Sequence, residues 1–264
     1  MNSTRLRKGV QVLTIILVIL VPILNKNGIT MLTGSLYSLA IGPIWITDPL
    51  IGFQTILTTM TADRTLLLSM VLPVVLALAL GRVFCGWACP QNTLSEFIDR
   101  AATKFGIKRP FGKSTTAFPR YVVLAVILIL TLLAKIPLAS LLSTPGIISV
   151  QVAKLIYEGI VGLELGLVAL IVMFELFLVR RGWCNYICPV GSFLGIFRFK
   201  KTMKVFFAED GERVCGKCLA CVDACGLGLN PMESGIYPQC HNCGACVAAC
   251  ENMKAEKKPL AFKF

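Results

Sequence analysis

Residues 215–225 read CGKCLACVDAC, and residues 240–250 read CHNCGACVAAC. Both segments have the spacing Cys-x2-Cys-x2-Cys-x3-Cys, which is typical of chains that hold two [4Fe–4S] clusters. In such chains the first three cysteines of a run bind one cluster, and the fourth binds the other. The spacing therefore predicts two ligand sets, which are Cys215, Cys218, Cys221 and Cys250 for the first cluster and Cys240, Cys243, Cys246 and Cys225 for the second.

Structural zinc is the alternative for these motifs, because zinc also binds sets of four cysteines. Zinc sites usually pair two Cys-x2-Cys knuckles, whereas this chain repeats the 2-2-3 spacing, so the pattern favours iron–sulfur clusters. One detail departs from the common motif, in which proline follows the fourth cysteine. Gly226 and Glu251 stand at these positions, which leaves the ligands in place but makes the local turn and the cluster potentials harder to predict.

Upstream of these motifs the chain is unusually apolar. Of its 264 residues, 56% are hydrophobic and 15% are charged, and the mean hydropathy is +0.76. In soluble domains about a quarter of all residues are charged, so this composition indicates a membrane protein. Four apolar stretches have roughly the length of membrane spans, and they cover about residues 9–24, 65–84, 121–142 and 159–179.

Basic residues flank these stretches unevenly. They concentrate before the first stretch, between the second and third, and after the fourth: Arg5, Arg7, Lys8; Arg82, Arg100, Lys104, Lys108, Arg109, Lys113, Arg120; Arg180, Arg181, Arg198, Lys200, Lys201 and Lys204. Because lysine and arginine favour cytoplasmic loops, we expect a multi-pass protein of the cell inner (cytoplasmic) membrane with both termini in the cytoplasm. The net charge of +12 then reflects orientation, and we do not expect nucleic-acid binding. The first stretch also suits a signal peptide, but no small-x-small cleavage site follows it, so we interpret it as an anchor.

An internal repeat links the second and fourth stretches. Residues 82–90 read RVFCGWACP, and residues 181–189 read RGWCNYICP. Duplication of a helix pair in parallel orientation explains this pattern. The predicted fold is a membrane all-α domain over residues 1–198, with four transmembrane helices as two parallel-repeat pairs. A small cytoplasmic α+β domain of two-cluster ferredoxin-like type follows over residues 199–264.

Each copy of the repeat carries two cysteines four positions apart, Cys85 with Cys89 and Cys184 with Cys188. If the helices continue through these residues, each pair lies on one helix face, and the repeat brings both pairs to one depth. Four converging thiols would suit a further iron or iron–sulfur centre, since tetrahedral sulfur sites favour iron–sulfur or zinc. Buried structural cysteines are the alternative, because cysteine is among the most often buried residues.

The chain has one histidine, His241, which stands within the second cysteine run. A haem held by two histidines within this chain is therefore excluded. The sequence also lacks a Gly-rich nucleotide fingerprint, which argues against NAD or flavin chemistry.

These features together resemble the NapH-type membrane iron–sulfur quinol dehydrogenase and polyferredoxin family. The resemblance rests on the four apolar stretches, the two Cys-x3-Cys-Pro motifs and the two C-terminal runs. It also includes the segments GSLY at 34–37, TDPL at 47–50 with Gln54 nearby, and RRGWC at 180–184. Membership would imply quinol oxidation in the membrane and electron delivery to a partner, either an iron–sulfur or a multihaem redox subunit. The same parts would also suit electron flow in the opposite direction.

Quinol oxidation releases two protons, so a quinone site needs proton acceptors beside an apolar pocket. Ionisable residues near membrane spans are costly to bury and usually functional. The sequence offers Asp48, Gln54 and Glu175 for this site. Asp48 also suits a helix N-cap ahead of Pro49, and Glu175 also suits an ion pair with a nearby arginine.

Two mechanisms differ in how deep in the membrane the quinone ring binds. A ring near the cytoplasmic cysteine motifs could pass electrons to the clusters directly. The hydrocarbon core is about 30 Å thick, so a ring near the outer face would need a partner's cofactor to bridge the bilayer. Two other functions stay open at this point. One is an iron–sulfur assembly, redox-sensing or metal-reducing protein, and the other is a membrane anchor that docks a larger redox complex.

Overall fold

The computed structural model describes residues 3–107, 110, 118–199, 201–208, 215, 218–233, 236–251 and 259–263. All twelve cysteines fall within these ranges. The basic residues Lys108, Arg109, Lys113 and Lys200, on which the predicted orientation partly rests, lie outside the described residues.

The described chain is mostly helical, and its first two parts contain helices in a similar order. The first part contains α1 (Ser3–Lys26), β1 (Leu32–Gly34), β2 (Ser38–Ile41), β3 (Ile44–Thr47), α2 (Pro49–Thr59), α3 (Arg64–Leu80), α4 (Val83–Trp87) and α5 (Pro90–Lys104). The second part contains α6 (Phe118–Ala134), α7 (Leu138–Leu141), α8 (Thr144–Glu158), α9 (Glu164–Phe177), a π-helical turn (Trp183–Ile187) and α10 (Pro189–Leu194). The C-terminal part contains β4 (Lys204–Phe207), α11 (Ala220–Asp223), α12 (Ala245–Glu251) and β5 (Leu260–Lys263).

Each of the four predicted apolar stretches forms a helix, namely α1, α3, α6 and α9. Among the described residues, α1 is the helix whose length and composition suffice to cross a membrane. The apolar helices α3 and α6 each have 17 residues, and α9 has 14.

The first part departs from the predicted all-α fold, because β1, β2 and β3 form an antiparallel sheet. Ile41 pairs with Ile44 across a two-residue turn, in which Gly42 adopts a φ of +57° ahead of Pro43. Hairpin turns of two residues favour a positive φ, which glycine adopts without strain. Two short apolar runs on either side of this Gly-Pro pair were the available sequence signal. The sheet packs against α1 and α3.

Helix α2 returns beside α3 and reaches the region of the second cysteine repeat. Gly52 of α2 lies against the side chain of Met70, and Ser69 donates a hydrogen bond of 3.0 Å to Thr47. At the other end of this contact, Leu50 packs in one buried cluster with residues of α10, which begins directly after Cys188. Thr47, directly before Asp48, is therefore bonded to the first part of α3, while Leu50, two residues after Asp48, is buried with residues of α10.

The N-terminus of α2 confirms one sequence interpretation. Asp48 is its N-cap, and the carboxylate Oδ1 accepts a hydrogen bond of 2.8 Å from the amide of Leu50. Pro49 occupies the first turn, where its missing N–H costs nothing.

The C-terminal part is a small α+β unit with its own core. Strand β4 pairs with β5 in antiparallel register, with Val205 opposite Phe262. Val205, Leu260 and two of the cysteines, Cys221 and Cys246, share the buried cluster. The unit joins the end of α3 through main-chain bonds such as Met203 N to Ala79 O at 2.9 Å. The domain boundary at residues 198 and 199 stays a prediction.

Candidate iron–sulfur site and apolar cavity

The helices do not continue through the paired cysteines, so the condition for both cysteines of a pair to share one helix face is not met. Helix α3 ends before Gly81, which adopts a φ of +69°, and α4 ends before Cys89. Cys89 is the N-cap of α5, and Cys188 is the N-cap of α10. The proline after each of these cysteines explains the break, since proline starts a helix more readily than it continues one.

Thiols from the two copies of the repeat nevertheless lie within electrostatic range of one another. Cys89 lies within electrostatic range of Cys85 and Cys188, and Cys184 lies within range of Cys188 and Cys89. Burial, with a smaller contribution from Cys85, raises the pKa of the Cys188 thiol to about 11. Burial also raises the pKa of Cys89 and Cys184. Metal binding at this group would therefore have to displace protons from the thiols.

Several C-terminal cysteines lie within electrostatic range of other members of their predicted ligand sets. Cys221 lies within electrostatic range of Cys215 and Cys250, and Cys250 also lies within range of Cys218. The second group is formed by Cys246 with its neighbours Cys240, Cys243 and Cys225. Within the ranges that the structure describes, no three His, Cys, Asp or Glu residues are arranged to share one metal ion. The ligand roles of all twelve cysteines stay predictions.

The first Cys-x3-Cys-Pro motif is in contact with the loop that carries the second C-terminal run. Arg82 donates through Nη1 to the carbonyls of Pro238 and Gln239, both at 3.0 Å. Trp87 donates through Nε1 to the carbonyl of Asn242, also at 3.0 Å. A Cβ at Gly86 would lie 2.8 Å from the carbonyl oxygen of His241, so only glycine allows this approach.

The second Cys-x3-Cys-Pro motif contacts the segment after the first C-terminal run. Asn185 donates through Nδ2 to the carbonyl of Leu227 at 3.4 Å. A Cβ at Gly226 would lie 2.5 Å from Cζ of Arg181. This contact gives a physical reason for the unusual residue after Cys225, because a proline ring there would occupy the position of the guanidinium.

Glu175 lies beside this cysteine group. Its side chain is buried, and Ser95 donates a hydrogen bond of 2.6 Å to its Oε2. It lies within electrostatic range of both Arg181 and Cys184. An arginine, Arg181, is therefore close to Glu175, as is the hydroxyl of Ser95 on α5.

An apolar cavity of about 550 Å³ separates α1 from α3 and the sheet. Its walls include Val18 of α1 and Leu76 of α3. Asp48 also lines it, as do Phe84 and Ala88, the residues directly before Cys85 and Cys89. Volumes of roughly 300–1,000 Å³ are usual for ligand sites. The same cavity therefore has a carboxylate and part of the first cysteine motif on its walls.

The other two residues predicted for a quinone site are not among the described residues that line this cavity. Gln54 makes two bonds to Ser140, one from its Nε2 to the hydroxyl at 3.3 Å and one to its Oε1 from the amide at 3.0 Å. These bonds hold α2 against α7. Gln54 and Glu175 keep their predicted roles only as proposals.

Comparisons with known proteins agree with this geometry. A sequence-family profile described as "4Fe-4S binding domain" matches residues 65–108 and 161–205, and each match contains one Cys-x3-Cys-Pro motif. The methylamine utilization ferredoxin-type protein MauN of Methylorubrum extorquens is 33% identical over 75% of this chain and 67% of its own length. The ferredoxin-type protein NapH of Escherichia coli is 26% identical over 81% of this chain and 75% of its own. The chain belongs to the NapH-type polyferredoxin family.

An uncharacterised protein of Methanocaldococcus jannaschii is also similar to this NapH-type polyferredoxin, with 30% identity over 75% of this chain and 79% of the relative. No solved structure matches the chain. Family membership makes the chain an iron–sulfur electron-transfer protein with [4Fe–4S] clusters.

Sequence reasoning missed two glycines of this polyferredoxin that matter for the site. Gly86 and Gly226 lie where the two parts of the chain touch, and both positions exclude a Cβ. The unusual residue after Cys225 was the available signal for Gly226. For Gly86 the signal was weak, since the repeat has Asn185 at the matching position.

Substitution of Gly86 by valine is expected to separate the C-terminal unit from the first cysteine motif. The added side chain meets main-chain atoms of the His241 loop, which cannot move as the end of a side chain can. Overpacking of this kind costs about 1–3 kcal/mol. Limited proteolysis of the loop around Pro238 should become faster, whereas Gly9→Val, at an open position, should leave the rate unchanged. Equal rates for both variants would contradict the contact.

Proposed function

We propose that this chain is a membrane subunit that oxidises quinol, either menaquinol or ubiquinol, and passes the electrons to a partner redox protein. One observation carries the proposal. The apolar cavity is lined by Asp48 and also by Phe84 and Ala88, the residues directly before Cys85 and Cys89. A ring bound there would lie next to the predicted iron centre, so no further cofactor is needed to bridge the bilayer.

The apolar surface supports a multi-pass arrangement with four spans. Large hydrophobic side chains remain exposed along the outward faces of α3, α6 and α9, for example Leu68, Leu133 and Leu170. Soluble monomers rarely expose contiguous apolar surface of this extent, so lipid is the environment that suits these faces. The basic segments then place both termini in the cytoplasm.

The chemistry divides between the cavity and the cysteines. Oxidation of a quinol to a quinone releases two electrons and two protons. The clusters, when bound, accept the electrons one at a time. Asp48 is the carboxylate on the cavity wall that can accept a proton, while its bond from the Leu50 amide fixes its orientation.

The contacts between the two parts of the chain suggest the order of transfer. Electrons leaving the first Cys-x3-Cys-Pro motif would reach the Cys240–Cys246 run first, since that loop touches Gly86 and Trp87. The other C-terminal group contains Cys218, the exposed member of the twelve cysteines. We therefore place the exit to an iron–sulfur or multihaem redox subunit at Cys218.

The test is EPR spectroscopy of the purified full-length chain in lipid nanodiscs, with iron quantified. A reduced menaquinol analogue should produce cluster signals comparable to those produced by dithionite. Iron clearly above about eight per chain would indicate a centre beyond two [4Fe–4S] clusters. Clusters that dithionite reduces but quinol leaves oxidised would overturn quinol oxidation by this chain and favour a docking anchor or a redox sensor.

A further inference from the structure

The repeat places two pairs of buried arginines around the four membrane-surface cysteines. Arg82 and Arg181 occupy equivalent positions, each three residues before the first cysteine of its motif. Arg7 lies near the start of α1, and Arg120 lies near the start of α6. All four side chains are buried. In each pair, one arginine belongs to a Cys-x3-Cys-Pro motif and the other lies near the start of a helix. Arg7 and Arg181 face α5, and Arg82 and Arg120 face α10. Each of these two helices directly follows one of the motifs.

The pair formed by Arg7 and Arg181 is neutralised by carboxylates of α5. The Nη1 of Arg7 lies 2.7 Å from Oε1 of Glu96. The Nε of Arg181 lies 3.2 Å from Oδ2 of Asp99, and its Nη1 donates to Asn92 at 2.8 Å. Each buried arginine on this side therefore meets a carboxylate, which it shares with a more exposed cation: Arg100 lies 3.8 Å from Glu96, and Arg180 lies 3.1 Å from Asp99.

The pair formed by Arg82 and Arg120 has no such neutralisation. Its helix is α10, where Gly191 stands at the position matching Asn92 and Gly195 at the position matching Glu96. A Cβ at Gly191 would lie 2.5 Å from Nη2 of Arg82 and 3.5 Å from Nη2 of Arg120, so both guanidinium groups converge there.

The polar contacts of this second pair are neutral. Arg82 bonds to main-chain carbonyls, and the Nε of Arg120 donates to the hydroxyl of Ser192 at 3.3 Å. Both Nη atoms of Arg120 are buried without a hydrogen-bond partner. Within the described part of the chain, neither arginine forms an ion pair, although their side chains are only 5% and 2% exposed.

Two buried cations without an anion are expensive, because desolvation of a charge costs several kcal/mol unless an opposite charge compensates it. The groups that face them are Cys188, within electrostatic range of both arginines, and Cys85, within range of Arg120. An iron–sulfur centre held by four thiolates carries a net negative charge. The asymmetry between the two halves therefore fits an anion at the four cysteines.

We propose that Arg82 and Arg120 are the counter-charge of an anionic iron–sulfur centre on Cys85, Cys89, Cys184 and Cys188, and that they raise its reduction potential. The proposal rests on the proposed function, in which this centre takes each electron from quinol and passes it to the neighbouring C-terminal cluster. Reduction makes the centre more negative by one charge, so nearby cations stabilise the reduced form. Arg82 and Arg120 act through the centre and do not touch the quinol.

The test is an EPR-monitored redox titration of the full-length chain in nanodiscs. The signal of the membrane-surface centre is identified by its loss in Cys85→Ser. In Arg120→Gln we expect the equilibrium constant for its reduction to fall roughly tenfold, which is about 59 mV for a one-electron couple. Ser192→Asp places a carboxylate beside Arg120 and keeps every arginine, so it should shift the potential in the same direction. If Arg120→Gln fails to assemble the centre, Ser192→Asp still tests the proposal.

Two controls keep the charge near the centre unchanged. Arg120→Lys retains the cation, and the double variant Arg7→Gln with Glu96→Gln removes the neutralised ion pair on the opposite side. Both should keep the potential close to that of the unsubstituted chain.

An unchanged potential in both Arg120→Gln and Ser192→Asp, with the centre present, would overturn the proposal. Absence of the centre, with about eight irons per chain, would overturn it as well. Quinol-driven reduction of the remaining clusters in the same samples reports on the proposed function separately.

Discussion

Replacement of Cys85 and Cys184 together by serine is expected to abolish quinol-driven reduction of the two C-terminal clusters and to leave their reduction by dithionite intact. The two residues come from the two copies of the repeat, so the double variant removes one thiol from each pair. Loss of an outer partner of a metal ligand already costs about 10–100-fold, so loss of two direct ligands should cost at least about a hundredfold. Stopped-flow absorbance of cluster reduction by a menaquinol analogue measures the rate.

The same sample contains its own control, because the eight C-terminal cysteines are untouched. Their iron content and their dithionite-reduced EPR signals should equal those of the unsubstituted chain. If the double variant accepted electrons from quinol at the original rate, the four membrane-surface cysteines would be structural, and electrons would reach the C-terminal clusters by another route.

Filling the apolar cavity is expected to have the second largest effect. Val18 of α1 is partly buried and lines the cavity, so Val18→Trp places an indole in the space proposed for the quinol ring or its tail. If overpacking costs of about 1–3 kcal/mol fall on the bound state, they correspond to roughly a 5- to 150-fold loss in quinol affinity. We expect the concentration of quinol needed for half-maximal reduction to rise by that factor, with the EPR signals after dithionite unchanged.

Val12→Trp is the matched control on the same helix. Val12 is 56% exposed and is not among the described residues that line the cavity. The same substitution there should leave the dependence on quinol concentration unaltered. Equal behaviour of the two variants would mean that quinol binds outside this cavity.

The sequence predicted the features that depend on local pattern. Apolar stretches of sufficient length became helices, and Asp48 ahead of Pro49 became an N-cap. The ligand sets predicted from the spacing of the cysteine runs stay predictions. The sheet before α2 was missed because its three strands are only three or four residues long, which is too short for a clear alternating pattern.

Features that depend on long-range packing were beyond such reasoning. The position of Asp48 depends in part on Leu50, which is buried in one cluster with residues of α10. Leu50 and α10 lie far apart in the chain. The sequence leaves two roles open for the arginines beside the cysteine motifs, which are counter-charges of a cluster and cytoplasmic anchors. It does not reveal that Arg7, Arg82, Arg120 and Arg181 are buried. Their burial depends on partners such as Glu96, which lies 89 positions from Arg7. Charge counts along the sequence do not distinguish an exposed cation from one that faces a cofactor.

The tight contacts at Gly86 and Gly226 have a consequence for how this polyferredoxin would meet its partner. Small redox domains on flexible tethers work as swinging arms, which carry electrons from a donor to a distant acceptor by their own motion. Here two loops of the C-terminal unit, one with Gly226 and one with His241, contact the two cysteine motifs so closely that Gly86 and Gly226 leave no room for a methyl group. These contacts hold the unit in place, so in the proposed function the partner would have to approach the surface at Cys218. Turnover at low partner concentration would then be governed by collision with that surface and not by domain movement.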